Sequence, residues 1–268
     1  MIKCPKHKRL MLTFDAFGTL FTLREAVGKQ YAEVARRHGL SGFTDDQITS
    51  NFRQAFKSEG DRLPNYGKTL GMKPSQWWAN IIDATFHPFS SEKGLPENLV
   101  PDLLARFSSA AGYTLYSDVL PFFKSLRQIK AASNGESAWS EPIVGIITNS
   151  DDRVPSILSN FGLQVGLRRH GNEFQASVQA EDDINFVTMS YDVGFEKPGS
   201  EIFDAAKQMV PGQDRFLHVG DDLQKDYYAA RRAGWEGFLL DRDAKQNQEI
   251  VGPLPCLRNL QELISYIK

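Results

Sequence analysis

Apolar positions fall into two different rhythms along this chain, and the change between them predicts its architecture. The run "MLTFDAF" (Met11–Phe17) is continuous and strand-like, and it ends on the carboxylate of Asp15 before turning through Gly18 and Thr19. From about residue 21 the spacing becomes helical. Val27, Tyr31, Val34 and Ala35 recur at helix intervals, with Gly39 placed to stop the segment. Thr44 reads as the N-cap of a second helix, Pro74 and Ser75 open a third, and "PENLVPDLLARFSSAAG" continues toward Gly112. Residues 21–117 are therefore predicted to be all-helical.

Beyond that block the rhythm changes to strand followed by helix, repeated. "EPIVGIITNS" is an apolar, β-branched run of the buried parallel kind, followed by "RVPSILSNFGL"; "INFVTMSYDVG" precedes "GSEIFDAAKQMV"; "DRFLHVGDD" precedes "KDYYAARRAG"; and "EGFLLDR" closes the series. Such alternation predicts an α/β fold: a Rossmann-like parallel sheet with helices on both faces, its crossovers right-handed. The first strand belongs to the same sheet. This gives a core domain of residues 1–20 and 118–268, with residues 21–117 inserted as a helical domain. Ala131–Glu141 and Val165–Ile184 are polar and aperiodic, and read as surface loops.

Composition narrows the function classes. At 268 residues the chain can bury a full core, and a net charge of -2 gives no electrostatic reason for a nucleic-acid or membrane partner. Cys4 and Cys256 are far apart and lack metal-ligand or redox spacing, which fits a reducing compartment. No targeting segment is evident. The expected location is cytoplasmic, or nuclear if the basic run "KCPKHKR" serves as an address rather than as a solvated arm.

In open parallel sheets, ligands bind beyond the carboxyl ends of the strands. That edge is predicted to collect Asp15, Thr148 and Asn149, Lys197, and Asp221, Asp222 and Asp226. A carboxylate can attack phosphorus, Mg²⁺ bound by carboxylates offsets its repulsion from a dianion, and hydroxyl, amide and lysine donors hold the remaining oxygens. Taken singly, Asp15 is more often a turn residue, and Asp221–Asp226 more often a helix N-terminus, than a site. Their ordered co-occurrence with Lys197 favours a site. Trp77, Trp78, Phe86 and Phe89 read as core aromatics, His218 as a core residue of its strand, and Arg231 and Arg232 as a solvated helix face.

"FDAFGTL", "IITNS", "FEKP" and "HVGDDLQKD" resemble the four ordered motifs of the haloacid dehalogenase superfamily, and the helical block resembles its type-one cap. "SYDVGFEKPGSEIF" and "HVGDDLQKDYYAARRAG" are similar to a eukaryotic subgroup that includes the rhythmically expressed fly protein and its human relative. The resemblance implies a Mg²⁺-dependent phosphatase-type hydrolase acting on a small phosphorylated metabolite. It implies Asp15 as nucleophile, Lys197 as charge-balancing catalytic residue, and Thr19, Thr148, Asn149 and Lys197 on the phosphate. The implied Mg²⁺ ligands are Asp15, the Phe17 carbonyl and Asp221, with Asp222 or Asp226 assisting.

Phe17 departs from the pattern. Phosphatases of the superfamily place there an aspartate that protonates the leaving oxygen and later activates water, and phenylalanine does neither. A non-catalytic phosphometabolite-binding protein is the alternative. The 2-haloacid dehalogenases tolerate an aromatic residue at this point, but they carry neutral residues where this chain has Asp221 and Asp222, which makes that reading the weakest of the three.

Overall fold

The computed structural model describes residues 8–90, 92, 94–132, 139–172, 179, 181–244 and 255–267. Cys4 and most of the basic N-terminal run lie outside the described residues. The chain divides into two compact units, one made of Met1–Thr22, Leu115–Ser150 and Gly162–Lys268, the other of Leu23–Thr114 and Asp151–Phe161.

The first unit is built on a seven-stranded sheet. Its strands are β1 (Lys8–Phe14), β4 (Trp139–Thr148), β5 (Val165–Arg169), β6 (Ile184–Met189), β7 (Arg215–Gly220), β8 (Glu236–Leu240) and β9 (Cys256–Leu257), in the order β5-β6-β4-β1-β7-β8-β9. Every pairing is parallel. Parallel strands need crossovers, and the helices that supply them cover both faces of the sheet. Strands covered on both faces must be apolar on both. All six residues of β6 are buried, and Leu10, Met11, Leu12 and Phe14 of β1 have no exposed surface. β1 is central, between β4 and β7, so the site edge is open to contributions from both flanks.

The structure corrects the sequence reading at three places. Val165–Arg169, expected to be loop, is the edge strand β5, whose residues are partly buried or, at Leu167, exposed, and so carry little hydrophobic periodicity. Trp139–Glu141, also expected to be loop, begins β4. The block 21–117 is not wholly helical: β2 (Phe21–Leu23) and β3 (Tyr113–Leu115) pair as a short ribbon where the chain enters and leaves the helical region. Three residues are too few to register as a strand pattern.

The second unit packs four principal helices, Val27–Arg37, Asp45–Arg62, Pro74–Phe86 and Leu99–Arg106. Thr44 caps the second in both directions: its hydroxyl accepts from the Gln47 amide at 3.2 Å, and the Gln47 side chain accepts from the Thr44 amide at 2.8 Å. Trp77 is buried with Ala55, Leu63 and Ile81, and its indole N–H donates to the Leu63 carbonyl at 3.0 Å. Trp78 is only half-buried and donates to Asp151 at 2.8 Å. Asp151 has no exposed surface and also receives the Arg153 guanidinium through both oxygens at 2.8 and 2.9 Å, while that guanidinium lies 4.3 Å above the Trp78 ring. Arg231 and Arg232, in the first unit, are exposed as their spacing suggested.

Candidate active site

Asp15 directly follows the last residue of β1, and its amide is tied to the Val219 carbonyl of β7 at 2.9 Å. The chain then reverses in a tight turn. Gly18 has φ +87, the left-handed conformation that glycine adopts without steric cost, and its amide bonds to the Phe21 carbonyl while Leu20 and Phe21 bond back to Ala16. A side chain at Gly18 would overlap the Asp221 carboxylate, so this turn and the end of β7 are in intimate contact.

Lys197 organises the centre of the edge. Its ammonium, 3% exposed, donates to Asp15 Oδ1 at 2.7 Å, Asp226 Oδ1 at 2.6 Å and the Ile147 carbonyl at 2.9 Å, which uses all three of its protons. Burial opposes the lysine's charge, but the two carboxylates outweigh burial and hold its pKa above the ordinary value. The two carboxylates share this cation unequally. Burial pushes Asp15 up to about 7, an effect that Lys197 only partly offsets and the Asp226 and Asp221 charges reinforce. At Asp226 burial again favours the neutral form, but Lys197 and His218 together outweigh it and hold the group below the usual carboxylate range. Asp226 also accepts the Asp222 amide at 3.0 Å.

Asp221 completes the acidic set. Thr19 Oγ1 donates to Asp221 Oδ1 at 3.0 Å and accepts the Asp221 amide at 3.1 Å, so one hydroxyl fixes both ends of that residue. Burial, followed by repulsion from Asp226, raises the Asp221 pKa. Asp15, Asp221 and Asp226 each offer one oxygen, and these oxygens all lie within 4.8 Å of one another. Three hard oxygen donors at that spacing fit Mg²⁺.

The other expected residues are less uniformly placed. Asp222 turns away from the cluster: its Oδ1 accepts the amides of Gln224 and Lys225, both at 2.8 Å, and caps the following π-helical turn, Leu223–Tyr228. Asn149 is bonded reciprocally to the Lys197 backbone, its amide donating to the carbonyl and its oxygen accepting the N–H, both at 2.7 Å. It thus fixes where the lysine emerges. Thr148 is buried at the end of β4. The Phe17 ring is 50% exposed and meets Phe21 edge-on with centroids 6.2 Å apart.

His218, read from sequence as core, does more. It has no exposed surface and reaches Asp226 Oδ1 through Nε2 at 3.2 Å and the Thr13 hydroxyl through Nδ1 at 2.9 Å. Burial pushes the imidazole below its ordinary pKa, which favours the neutral ring, while Asp226 acts in the opposite direction. A tautomer with its proton on Nε2 serves Asp226 and leaves Nδ1 facing the Thr13 hydroxyl, which also donates to the Leu217 carbonyl at 3.2 Å. A signal for this pair exists in the sequence: Thr13 and His218 are polar residues inside otherwise apolar strands, and the parallel register sets them opposite each other.

A parallel α/β sheet with a buried lysine and three carboxylates at its carboxyl edge is an arrangement suited to phosphoryl chemistry, and the chain belongs to the haloacid dehalogenase-like hydrolase family, whose pattern matches residues 11–234. It is 33% identical over 242 residues to an uncharacterized hydrolase of Schizosaccharomyces pombe, covering 88% of this chain and 92% of the relative. It is 28% identical to human haloacid dehalogenase-like hydrolase domain-containing protein 3 (86% and 81% covered) and 26% identical to the Drosophila melanogaster rhythmically expressed gene 2 protein (86% and 82%). Among solved structures, it shares its fold with the HAD-hydrolase YfnB of Bacillus subtilis bound to magnesium, at TM-score 0.62 and 17% identity with 98% and 99% of the two chains covered. The L-2-haloacid dehalogenase PA0810 superposes at TM-score 0.65, also at 17% identity, with 96% and 98% covered.

Proposed function

We propose that this hydrolase is a Mg²⁺-dependent phosphatase-type enzyme in which Asp15 is the nucleophile and turnover is specialised by Phe17. The observation that carries the reading is the Asp15–Lys197–Asp226 arrangement at the end of the central strand, with Asp221 beside it. Asp15, Asp221 and Asp226 would hold the ion, with the Phe17 carbonyl as a further oxygen. Bound Mg²⁺ would offset the repulsion between the carboxylates and an incoming phosphate dianion.

The chain's own residues account for the rest of the chemistry. Lys197 occupies Oδ1 of Asp15 and leaves Oδ2 as the attacking atom. Attack forms the Oδ2–P bond and breaks the bond from phosphorus to the leaving oxygen, which departs with the electron pair. Water then cleaves the aspartyl phosphate and regenerates Asp15. In the resting site Lys197 is held protonated by its two carboxylates, which suits it to serve as a fixed charge rather than as a proton source.

Phe17 also supports the second reading, phosphometabolite binding without turnover: the residue two places after Asp15 is a half-exposed hydrocarbon ring that can neither give nor take a proton. A dehalogenase is disfavoured by charge, since three carboxylates against one ammonium repel a free carboxylate substrate. The deciding experiment is a panel of phosphorylated metabolites with Mg²⁺, run beside Asp15→Asn. Turnover lost in Asp15→Asn supports the enzyme. Binding without turnover supports the second reading, and neither binding nor turnover would sink both.

A further inference from the structure

We infer that Arg242 is a positioning residue, fastening the turn that carries Phe17, Gly18 and Thr19 so that this turn and Asp221 form one rigid edge. Arg242 lies just beyond β8, and no sequence motif marks it. Its guanidinium donates to the Thr19 carbonyl at 2.9 Å and, more weakly, to the Gly18 carbonyl at 3.4 Å. The same group is held by both oxygens of Asp118 at 2.9 and 3.0 Å, and it stacks 3.9 Å above the Tyr116 ring. Asp118 in turn accepts the Leu260 amide at 2.8 Å. One planar cation therefore joins the turn after β1, the segment leading into the helix Val119–Ala132, and, through Asp118, the chain after β9.

The consequence passes along a short chain of bonds. Arg242 holds the Thr19 backbone, the Thr19 hydroxyl holds the Asp221 carboxylate and amide, and Gly18 packs directly against that same carboxylate. If the turn were loose, Asp221 would lose the hydroxyl that aims it. Arg242, Tyr116, Gly18 and Asp221 also line a cavity of about 350 Å³, so the clamp borders open space rather than lying wholly in the core. Nη2 carries the Thr19 and Asp118 contacts and Nη1 the longer one to Gly18, with the guanidinium carbon over the Tyr116 ring, a spread of donors that the single ammonium of lysine does not reproduce.

Arg258 provides a matched control. It donates to the Asp241 carbonyl at 2.7 Å and carboxylate at 3.1 Å, so it braces the residue beside Arg242 without touching the 16–21 turn. The test compares Arg242→Gln, Arg242→Lys and Arg258→Gln with the unmodified protein by hydrogen exchange of the Gly18, Leu20 and Phe21 amides and by calorimetric Mg²⁺ titration, with thermal midpoints recorded for each. Both Arg242 variants are expected to exchange these amides faster and to lose about 10–100-fold in Mg²⁺ affinity, the usual cost of removing a residue that orients a ligand. Arg258→Gln should do neither, even if it lowers the midpoint comparably. Unchanged exchange in Arg242→Gln, full retention of protection and affinity in Arg242→Lys, or equal effects from Arg258→Gln would each overturn the assignment. The affinity arm rests on the metal reading above; if the unmodified protein binds no Mg²⁺, that reading falls and the exchange arm alone decides the role of Arg242.

Discussion

Gly220 and Asp226 are packed so closely that a methyl group on Gly220 would occupy the space of the Asp226 carboxylate. The contact is what allows the π-helical turn after β7 to bring Asp226 back under Lys197 and His218. Gly220→Ala is therefore expected to displace Asp226, release Lys197 from one partner, and weaken Mg²⁺ binding about 10–100-fold. Calorimetric titration checks this, and unaltered affinity in the Gly220→Ala protein would remove Asp226 from the ligand set.

Asp221→Asn should behave differently. Its carboxylate is raised in pKa by burial and by Asp226, which means the charge is held at a cost in the metal-free protein. Removing that charge is expected to weaken Mg²⁺ binding while leaving the thermal midpoint unchanged or higher in the presence of a chelator. A lower midpoint in the chelated protein would count against repulsion within the cluster.

Phe17 sets a chemical expectation. Without a general acid beside the leaving oxygen, aryl phosphates, whose phenolate departs unaided, should be hydrolysed far faster than alkyl phosphates, by up to the ~10²–10⁴-fold that proton transfer contributes. Without a general base the aspartyl phosphate should persist, giving a burst of aryl product no greater than one per enzyme and a phosphoryl group trapped on Asp15. Phe17→Asp should raise alkyl hydrolysis more than aryl. Rapid-quench kinetics on the two ester types tests this, and equal rates on both would point to another proton donor.

In the helical unit, Asp151→Ala is expected to cost about 3–5 kcal/mol by denaturant unfolding, since it leaves the Arg153 guanidinium largely buried without its carboxylate and strips the Trp78 indole of its acceptor. Asp151→Asn should cost less, because an amide oxygen still accepts from Trp78. Equal losses would assign the effect to charge alone.

What can be read from sequence follows from how local each determinant is. The parallel core, its strand ends and the N-cap at Thr44 are written in contiguous residues, and Asp15, Lys197, Asp221 and Asp226 converge as the strand-end rule requires. The edge strand β5 is hidden because partial burial erases its alternation. Asp222 resembles a ligand in the sequence because carboxylates serve equally as helix caps, and only the direction of Oδ1 separates the two uses. His218 leaves a trace, a polar residue in an apolar strand opposite polar Thr13, whereas Arg242 acts through a partner 223 residues away, a distance at which no window of sequence carries a signal.

The central position of β1 also has a bearing on how the chain comes to be made. Asp15 leaves the ribosome long before Lys197, which lies 182 residues further on, and Thr13 waits for His218 across 205. Contacts closed over such separations form late and slowly, because the entropy of closing the loop is spent before the contact forms. A nascent chain that stops short of Asp226 therefore cannot assemble the lysine and its carboxylates at all. Whatever chemistry the edge performs is withheld until both flanks of the sheet have been synthesised and docked, so a truncated or stalled product is inert by construction.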